Sequence, residues 1–565
     1  MKRLLTFLIS IALLAAIPTS CSTPGNENAS AAAPSAGAGS GAESGGEPAE
    51  PDLSPITMTM FINAPTGTPD AKWGEDDISR TITEKTGVTL DIQYATSNDH
   101  IQLSTMLASG VSLPDFIRSD HTAPPAMQMV DQGFVLPLNE LADQYCPEFW
   151  ENMPMDMDVF FAQDDGNLYF VTSWFGDVSR LDETKYYSWI GASTAIHEPM
   201  YKEIGSPPMD TLDEFTAMLK TAKEHYPDLP YIFYDMNPGD PLASQSCSNI
   251  FYRIFGGDHY IVLDEDTTTA TTMITDERYL SAIKYINSLY REGLYQRGNF
   301  TVKSDEFNAM AQNEQIFFAA GQWYNIACQQ ENGPTTGPYI ATEWPQAPGV
   351  PRETQKRNDE FYSVTNFRDA LYITKDTQDP ARAVQFISFL MSDDGASLQR
   401  LGIEGEHWYM AEDNHPRTTE ALRELQKNDP EEAAKVGIFG IGDILPSMFW
   451  DRYNVVNWLE ENGPHGSEEY IMSCKYSHNE RLQGAISVIT DEDVKTTYLR
   501  VMEVWKNSLP NMYLAESEEA CEQAYETFVS EATRTGLDEL EEYYTQQYVY
   551  WKDRIENTES RAVRK

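Results

Sequence analysis

ITMTMFI (56–62), DDISRTITEKTG (76–87), VTLDIQY (88–94), HIQLSTMLASG (100–110) and LPDFI (113–117) decide the fold. In the first, Ile56, Met58, Met60 and Ile62 alternate with Thr57, Thr59 and Phe61, the period-two signature of a strand. Ile78 and Ile82 sit four residues apart ahead of Gly87, which predicts a helix over 76–86 with a glycine stop. Val88, Leu90, Ile92 and Tyr94 alternate again. Ile101, Leu103, Met106 and Leu107 mark a second helix that ends at Gly110, and 113–117 predicts a third strand. Strand, helix, strand, helix, strand at this spacing predicts a parallel, doubly wound α/β sheet.

Outward from this stretch the same signals recur. Thr211-Leu212-Asp213-Glu214 is a capping box that opens a helix through His225. A further helix spans 276–292 and stops at Gly293, and Pro380 fits the first turn of a helix that runs to Met391. Leu537, Leu540, Tyr544, Tyr548 and Trp551 form a stripe on an amphipathic helix, placed to face a core. The acidic run Asp264-Glu265-Asp266 lacks the spacing of a calcium loop and predicts a hairpin turn.

At 565 residues the chain exceeds one ordinary domain. Its 40 Lys+Arg against 88 Asp+Glu give a formal charge of −48, which excludes nucleic acid and anionic lipid surfaces as partners of the folded part. The six cysteines, Cys21, Cys146, Cys247, Cys328, Cys474 and Cys521, include no CxxC pair. Apart from Cys21 their scattered spacing favours buried thiols over a disulfide framework. No GxSxG, HExxH, GxxxxGK[ST] or helix-opening GxGxxG occurs, and no cofactor, metal or catalytic residue is expected. The juxtaposition of His407 with Glu404 and Glu406 is read as coincidence, not as a metal site.

Lys2 and Arg3 precede the apolar run 4–17, an n-region and h-region too short for an ordinary spanning helix. Cys21 follows in Ile17-Pro18-Thr19-Ser20-Cys21, which resembles a bacterial lipobox whose Cys takes a lipid. Pro18 departs from the aliphatic residue that pattern prefers, and ordinary signal-peptide cleavage is the alternative. Residues 22–55, rich in Gly, Ser, Ala, Pro and Glu, can bury almost nothing and predict a flexible tether.

Five further stretches carry a family resemblance: ITEKTGVTLDIQYATSNDHIQLSTMLASGVSLPDFI (82–117), DDGNLYFVTSW (164–174), DTLDEFTAMLKTAKEHYPD (210–228), INSLYREGL (286–294) and ITKDTQDPARAVQFISFLMSDDGASLQRLGIEGEHWYM (373–410). With them the chain resembles the family 1 extracellular solute-binding proteins, in particular the long lipoproteins paired with oligosaccharide ABC importers of Gram-positive bacteria. The resemblance implies a type II, periplasmic-binding-protein-like fold of two α/β lobes, with an interlobe ligand cleft and hinge crossings. Expected boundaries are a signal peptide at 1–20, the lipidated Cys and tether at 21–55, the first lobe at 56–175 and 361–430, and the second at 176–360 and 431–565. Crossings are expected near Tyr169–Arg180, Phe361 and Arg417–Glu432.

It further implies a monomer on the outer face of the cytoplasmic membrane, held by its lipid anchor only. Its partners would be a carbohydrate and the membrane permease subunits. Sugars offer flat C–H faces to aromatic rings and a hydroxyl rim to polar side chains. Position in the family pattern makes Trp174, Trp323, Tyr324 and Trp450 candidate platforms. Asn63, Ser119 and Asp120 follow strands whose C-terminal ends face the cleft in such sheets. Glu404, His407 and Trp408 lie in the GIEGEHW loop, where they touch ligand or brace the hinge. A sensor, an adhesin or a glycan-active enzyme would be compatible with the same fold, which does not fix function. One expectation is already testable: Cys21→Ala releases the protein into the medium, and retention of this variant on the membrane contradicts lipidation.

Overall fold

The computed structural model describes residues 52–63, 72–97, 100–153, 157–172, 193–236, 238–241, 247–257, 260–302, 304–321, 338–342, 344–351, 369–412, 416–438 and 481–562. The strands are β1 (Ile56–Ile62), β2 (Val88–Tyr94), β3 (Phe116–Asp120), β4 (Phe170–Thr172), β5 (Ser193–His197), β6 (Tyr231–Asp235) and β7 (Ile261–Asp264). They continue with β8 (Thr269–Thr272), β9 (Ile316–Gly321), β10 (Tyr339–Thr342), β11 (Asp369–Ile373), β12 (Trp408–Met410) and β13 (Pro416–Thr418). No described helix is long and apolar enough to cross a membrane.

The first sheet has the order β2-β1-β3-β11-β4. β1 pairs in parallel with β2 and β3, as the strand–helix alternation predicts. β11 runs antiparallel to both β3 and β4, so the sheet is mixed where the opening stretch predicts parallel pairing alone. The third strand also begins later than expected, at Phe116. Pro114 has no N–H to give a ladder. The Asp115 carboxylate is held outside the sheet by the Thr59 N–H and hydroxyl (both 2.8 Å), the Gln378 N–H (2.8 Å) and the Thr377 hydroxyl (2.9 Å).

The helix Asp77–Thr86 is capped by Asp76, which accepts from the Ser79 N–H, and stops at Gly87. Gly87 is required twice over. Its φ is +70°, and an added Cβ would lie 2.5 Å from the Leu53 carbonyl oxygen. Thr211 and Glu214 form the reciprocal capping box, and the helix Pro380–Met391 begins at the proline. Asp264, Glu265 and Asp266 lie at the turn between β7 and β8.

The second sheet, order β10-β5-β9-β6, supports a separate apolar core. The first core gathers Phe61, Ile78, Phe116, Tyr372 and Ile387. The second gathers Phe215, Phe233, Tyr279, Trp505 and Phe528, together with Leu537, Leu540, Tyr544 and Tyr548 of the C-terminal stripe. Two sheets, each with its own core and flanking helices, make the mixed α/β, two-lobed architecture. Cys146, Cys247 and Cys521 are buried free thiols, and the other cysteines lie outside the described residues.

Trp505 anchors the second core. It is fully buried, donates its indole N–H to the Tyr279 hydroxyl at 2.8 Å and stacks on Phe528 at 5.9 Å. Trp505→Ala is expected to lower unfolding free energy by about 3–5 kcal/mol. Urea unfolding of the two proteins checks this, and a loss below 1 kcal/mol would mean that the site collapses around the deletion.

Candidate ligand-binding edges

The strand directions bring the candidate polar residues to one edge of the first sheet. β1, β2, β3 and β4 end there and β11 begins there. Ser119, Ala370 and Thr172 are cross-strand partners, and Asn63 continues β1 beside Ser119, its N–H donating to the Arg118 carbonyl at 2.9 Å. These four face the same side of the sheet, one step from its C-terminal edge. In open α/β sheets this is the edge that faces ligand.

Asn63 and Ser119 are almost wholly enclosed. The Asn63 amide donates to the Ser119 hydroxyl at 2.9 Å and meets Nδ1 of His100 at 2.8 Å. His100 holds a left-handed φ of 60°, at the start of the helix Ile101–Ser109. Asn63 Oδ1, the Thr172 hydroxyl and the Tyr372 hydroxyl are buried without a hydrogen-bond partner among the described residues. An unmet polar atom costs about 1–3 kcal/mol, so these atoms call for a donor or acceptor from outside the described residues. Asp120 is half-buried and accepts from the Thr122 N–H (2.8 Å) and hydroxyl (2.7 Å).

Thr172, Tyr372 and His100 are absent from the sequence-derived candidates. The only available signal for Thr172 is its place in DDGNLYFVTSW. His100 meets the edge through its side-chain contact with Asn63, and Tyr372 lies two residues in from the edge residue Ala370, opposite Ile117 and Phe170.

In the GIEGEHW loop the structure separates the three candidates. Glu404 is exposed. His407 and Trp408 are buried, and their ring nitrogens turn back on the loop itself. Nδ1 of His407 accepts from the Ile403 N–H at 3.0 Å, which puts the proton of the neutral ring on Nε2, and the Trp408 indole donates to the Gly402 carbonyl at 2.9 Å. Gly402 has φ of +87°, and a Cβ there would lie 2.6 Å from His407 Nδ1. Burial holds the His407 pKa below the usual imidazole range. These contacts brace the turn into the β12–β13 hairpin. Trp174, Trp323, Tyr324 and Trp450 lie outside the described residues, as do Cys21 and the stretch around Phe361.

The second sheet repeats the arrangement. β6, β9 and β10 end, and β5 begins, at one edge. The last residue of β6, Asp235, is fully buried. Its carboxyl accepts from the Cys247 N–H at 3.1 Å and the Tyr295 hydroxyl at 2.9 Å, while its own N–H donates to Asn299 Oδ1 at 3.2 Å.

The family model of bacterial extracellular solute-binding proteins matches residues 78–399, more than half of the chain. The chain belongs to that family. Solved structures show the same fold at low identity. An extracellular solute-binding protein from Bifidobacterium longum subsp. infantis superposes with TM-score 0.65 at 15% identity, covering 88% of this chain and 98% of its own. A human-milk-oligosaccharide (HMO) binding, ABC-transporter-associated protein from the same organism gives 0.63 at 15% identity, covering 89% and 99%. The Streptococcus pneumoniae ABC-transporter substrate-binding protein FusA, in complex with kestose, gives 0.61 at 16% identity, covering 88% and 99%. Among curated protein sequences no match was found.

Asp235 has a measurable consequence. Burial pushes its pKa up to about 7, against the smaller lowering effect of its hydrogen bonds with Cys247 and Tyr295. Unfolding returns the carboxyl to the ordinary range near 3.8. Between those values the folded chain holds a proton that the unfolded chain has lost, so this group makes stability fall as pH rises from about 4 to 7. The contribution cannot exceed about 1.4 kcal/mol per pH unit. Asp235→Asn should flatten that slope in urea unfolding measured at pH 5 and pH 7.5. A variant as steep as the parent would place the titration elsewhere.

Proposed function

We propose that the chain is a carbohydrate-capturing subunit of an ABC importer, lipidated at Cys21, which binds an oligosaccharide between its lobes and presents it to the membrane permease. The observation that carries the reading is the polar row Asn63, Ser119 and Thr172, with Asp120 beside it, at the C-terminal edge of the first sheet. Amide, hydroxyl and carboxylate groups suit the hydroxyl rim of a sugar. Trp174 follows the end of β4 by two residues and Trp323 follows the end of β9 by two residues, so aromatic residues adjoin both ligand-facing edges in sequence. Trp450 and Tyr324 are the further platforms. The sugar-binding neighbours, one for human-milk oligosaccharides and one with kestose, support the substrate class. The chain binds and releases without catalysis in this reading, acts as a monomer and needs no cofactor. Its lobes are 56–175 with 361–430, and 176–360 with 431–565.

A thermal-shift panel of fructo-, milk and N-glycan oligosaccharides tests this. A ligand of the folded state at a hundredfold excess over its Kd adds about 2.7 kcal/mol of stability and must raise the midpoint. With the hit in hand, Trp323→Ala and Trp450→Ala should each lose roughly thirtyfold in affinity, about 2 kcal/mol, while the unliganded midpoint hardly moves. Early melting with normal affinity would make both tryptophans core residues. A panel without a hit, or a hit that is hydrolysed, defeats the proposal.

A further inference from the structure

The C-terminal helix Leu537–Asn557 takes part in both cores. Its first turns belong to the second. Leu537, Leu540, Tyr544 and Tyr548 are buried there, and Glu541 Oε1 accepts from the N–H and hydroxyl of Thr272 on β8, both at 2.8 Å. The Thr545 hydroxyl accepts from the Ala270 N–H at 2.9 Å and donates to the Ala270 carbonyl at 3.1 Å.

Its last turns belong to the first core. The Trp551 ring meets Phe160 at 5.7 Å, and Ile555 packs against the same cluster. Arg554 Nε donates to the Val159 carbonyl at 2.7 Å, and Nη2 donates to the Ala162 carbonyl. Those acceptors lie at the C-terminal end of the short helix Met157–Phe161, where carbonyls have no partner within the helix and a guanidinium serves as cap. Past the helix, Asp158 accepts from the Ser560 hydroxyl and the Arg561 N–H, both at 2.6 Å. The Arg561 guanidinium pairs with Asp143 and lies 3.8 Å from the Trp150 ring centroid, and Ala562 is buried in the first core.

The helix so gripped leads to the ligand-facing edge. Phe161 packs on His121 at 5.3 Å and on Phe170 at 5.2 Å, and His121 directly follows β3. One contiguous set of contacts therefore joins β8 in the second lobe to the end of β3 in the first.

We propose that Trp551–Ala562 is an interlobe strap: Arg554 and Arg561 are positioning residues that hold the Met157–Phe161 helix to the second lobe and so restrict the hinge rotation that opens and closes the site. The proposal rests on the two-lobed fold, not on the identity of the solute, and its test needs no solute. Exposed Thr105 in the first lobe and Thr221 in the second, each changed to Cys for spin labels in a full-length chain with Cys21, Cys328 and Cys474 replaced by Ser, report the interlobe distance. The Arg554→Ala, Arg561→Ala double variant should broaden or shift that distribution, while amide exchange in 157–161 stays as slow as in the parent. Arg561→Lys, with Arg554 kept, preserves the charge opposite Asp143 and should restore the parent distribution. A distribution unchanged by the double variant overturns the strap. Broadening with fast exchange in 157–161 also overturns it, because the arginines would then brace that helix locally.

Discussion

In the first sheet β1, β3 and β4 end, and β11 begins, at one edge, and the rest of this structure follows from that strand polarity. Along β1 and β2 seven residue pairs run in register, and β1 carries Met58, Met60, Phe61 and Ile62 into the core. Thr57, Asp91 and Gln93 of this ladder keep their solvent at exposed positions. At the edge where β1, β3 and β4 end, Asn63, Ser119 and Thr172 meet neighbours or a solute. The same logic sets Asp235 at the end of β6. The chain leaves β4 at the first of these edges and enters β5 at the second.

The buried polar groups at the two edges differ in kind. Asn63, Thr172 and Tyr372 keep atoms without a described partner, whereas both carboxyl oxygens of Asp235 are engaged. An engaged carboxyl packed against Tyr295 and Cys247 is scaffold, and burial raises its pKa. In the first lobe the Asn63 amide oxygen, beside the Ser119 hydroxyl, has no partner among the described residues.

Local periodicity made much of the fold legible. The strands at 56–62 and 88–94, the capping box at Thr211, the helix from Pro380 to Met391 and the C-terminal aromatic stripe depend on neighbours within one or two turns. What could not be read depends on distant pairing. Nothing near Asp369 announces that β11 inserts antiparallel between β3 and β4, because that choice is made by partners some 200 residues away. Thr172 is set beside Ala370 and Ser119 only through that insertion. The third strand was misplaced because LPDFI has the composition of a strand, while Asp115 is committed to Thr59, Thr377 and Gln378. Glu404, His407 and Trp408 were equally prominent in sequence. Only the left-handed turn at Gly402 shows why two of them face inward.

The same strand polarity sets where the chain enters the first sheet. Whatever precedes Asp52 reaches β1 at its N-terminal end, the opposite edge from Asn63. At about 3.3 Å per residue, the length of β1 sets the two edges roughly 20 Å apart. The entry point is clamped by Arg382, which is 5% exposed and donates to the carbonyls of Ser54 (3.0 Å) and Thr86 (2.7 Å). It also pairs with Asp52 at 3.4 Å. Three segments distant in sequence therefore close on one guanidinium, and Gly87 must lack a side chain for Leu53 to pass. The helix from Pro380 that carries this fork is rooted in the first core through Ala383, Val384, Phe386 and Ile387. Asn63 and Ser119 lie a strand's length from this fork, at the far edge of the same sheet.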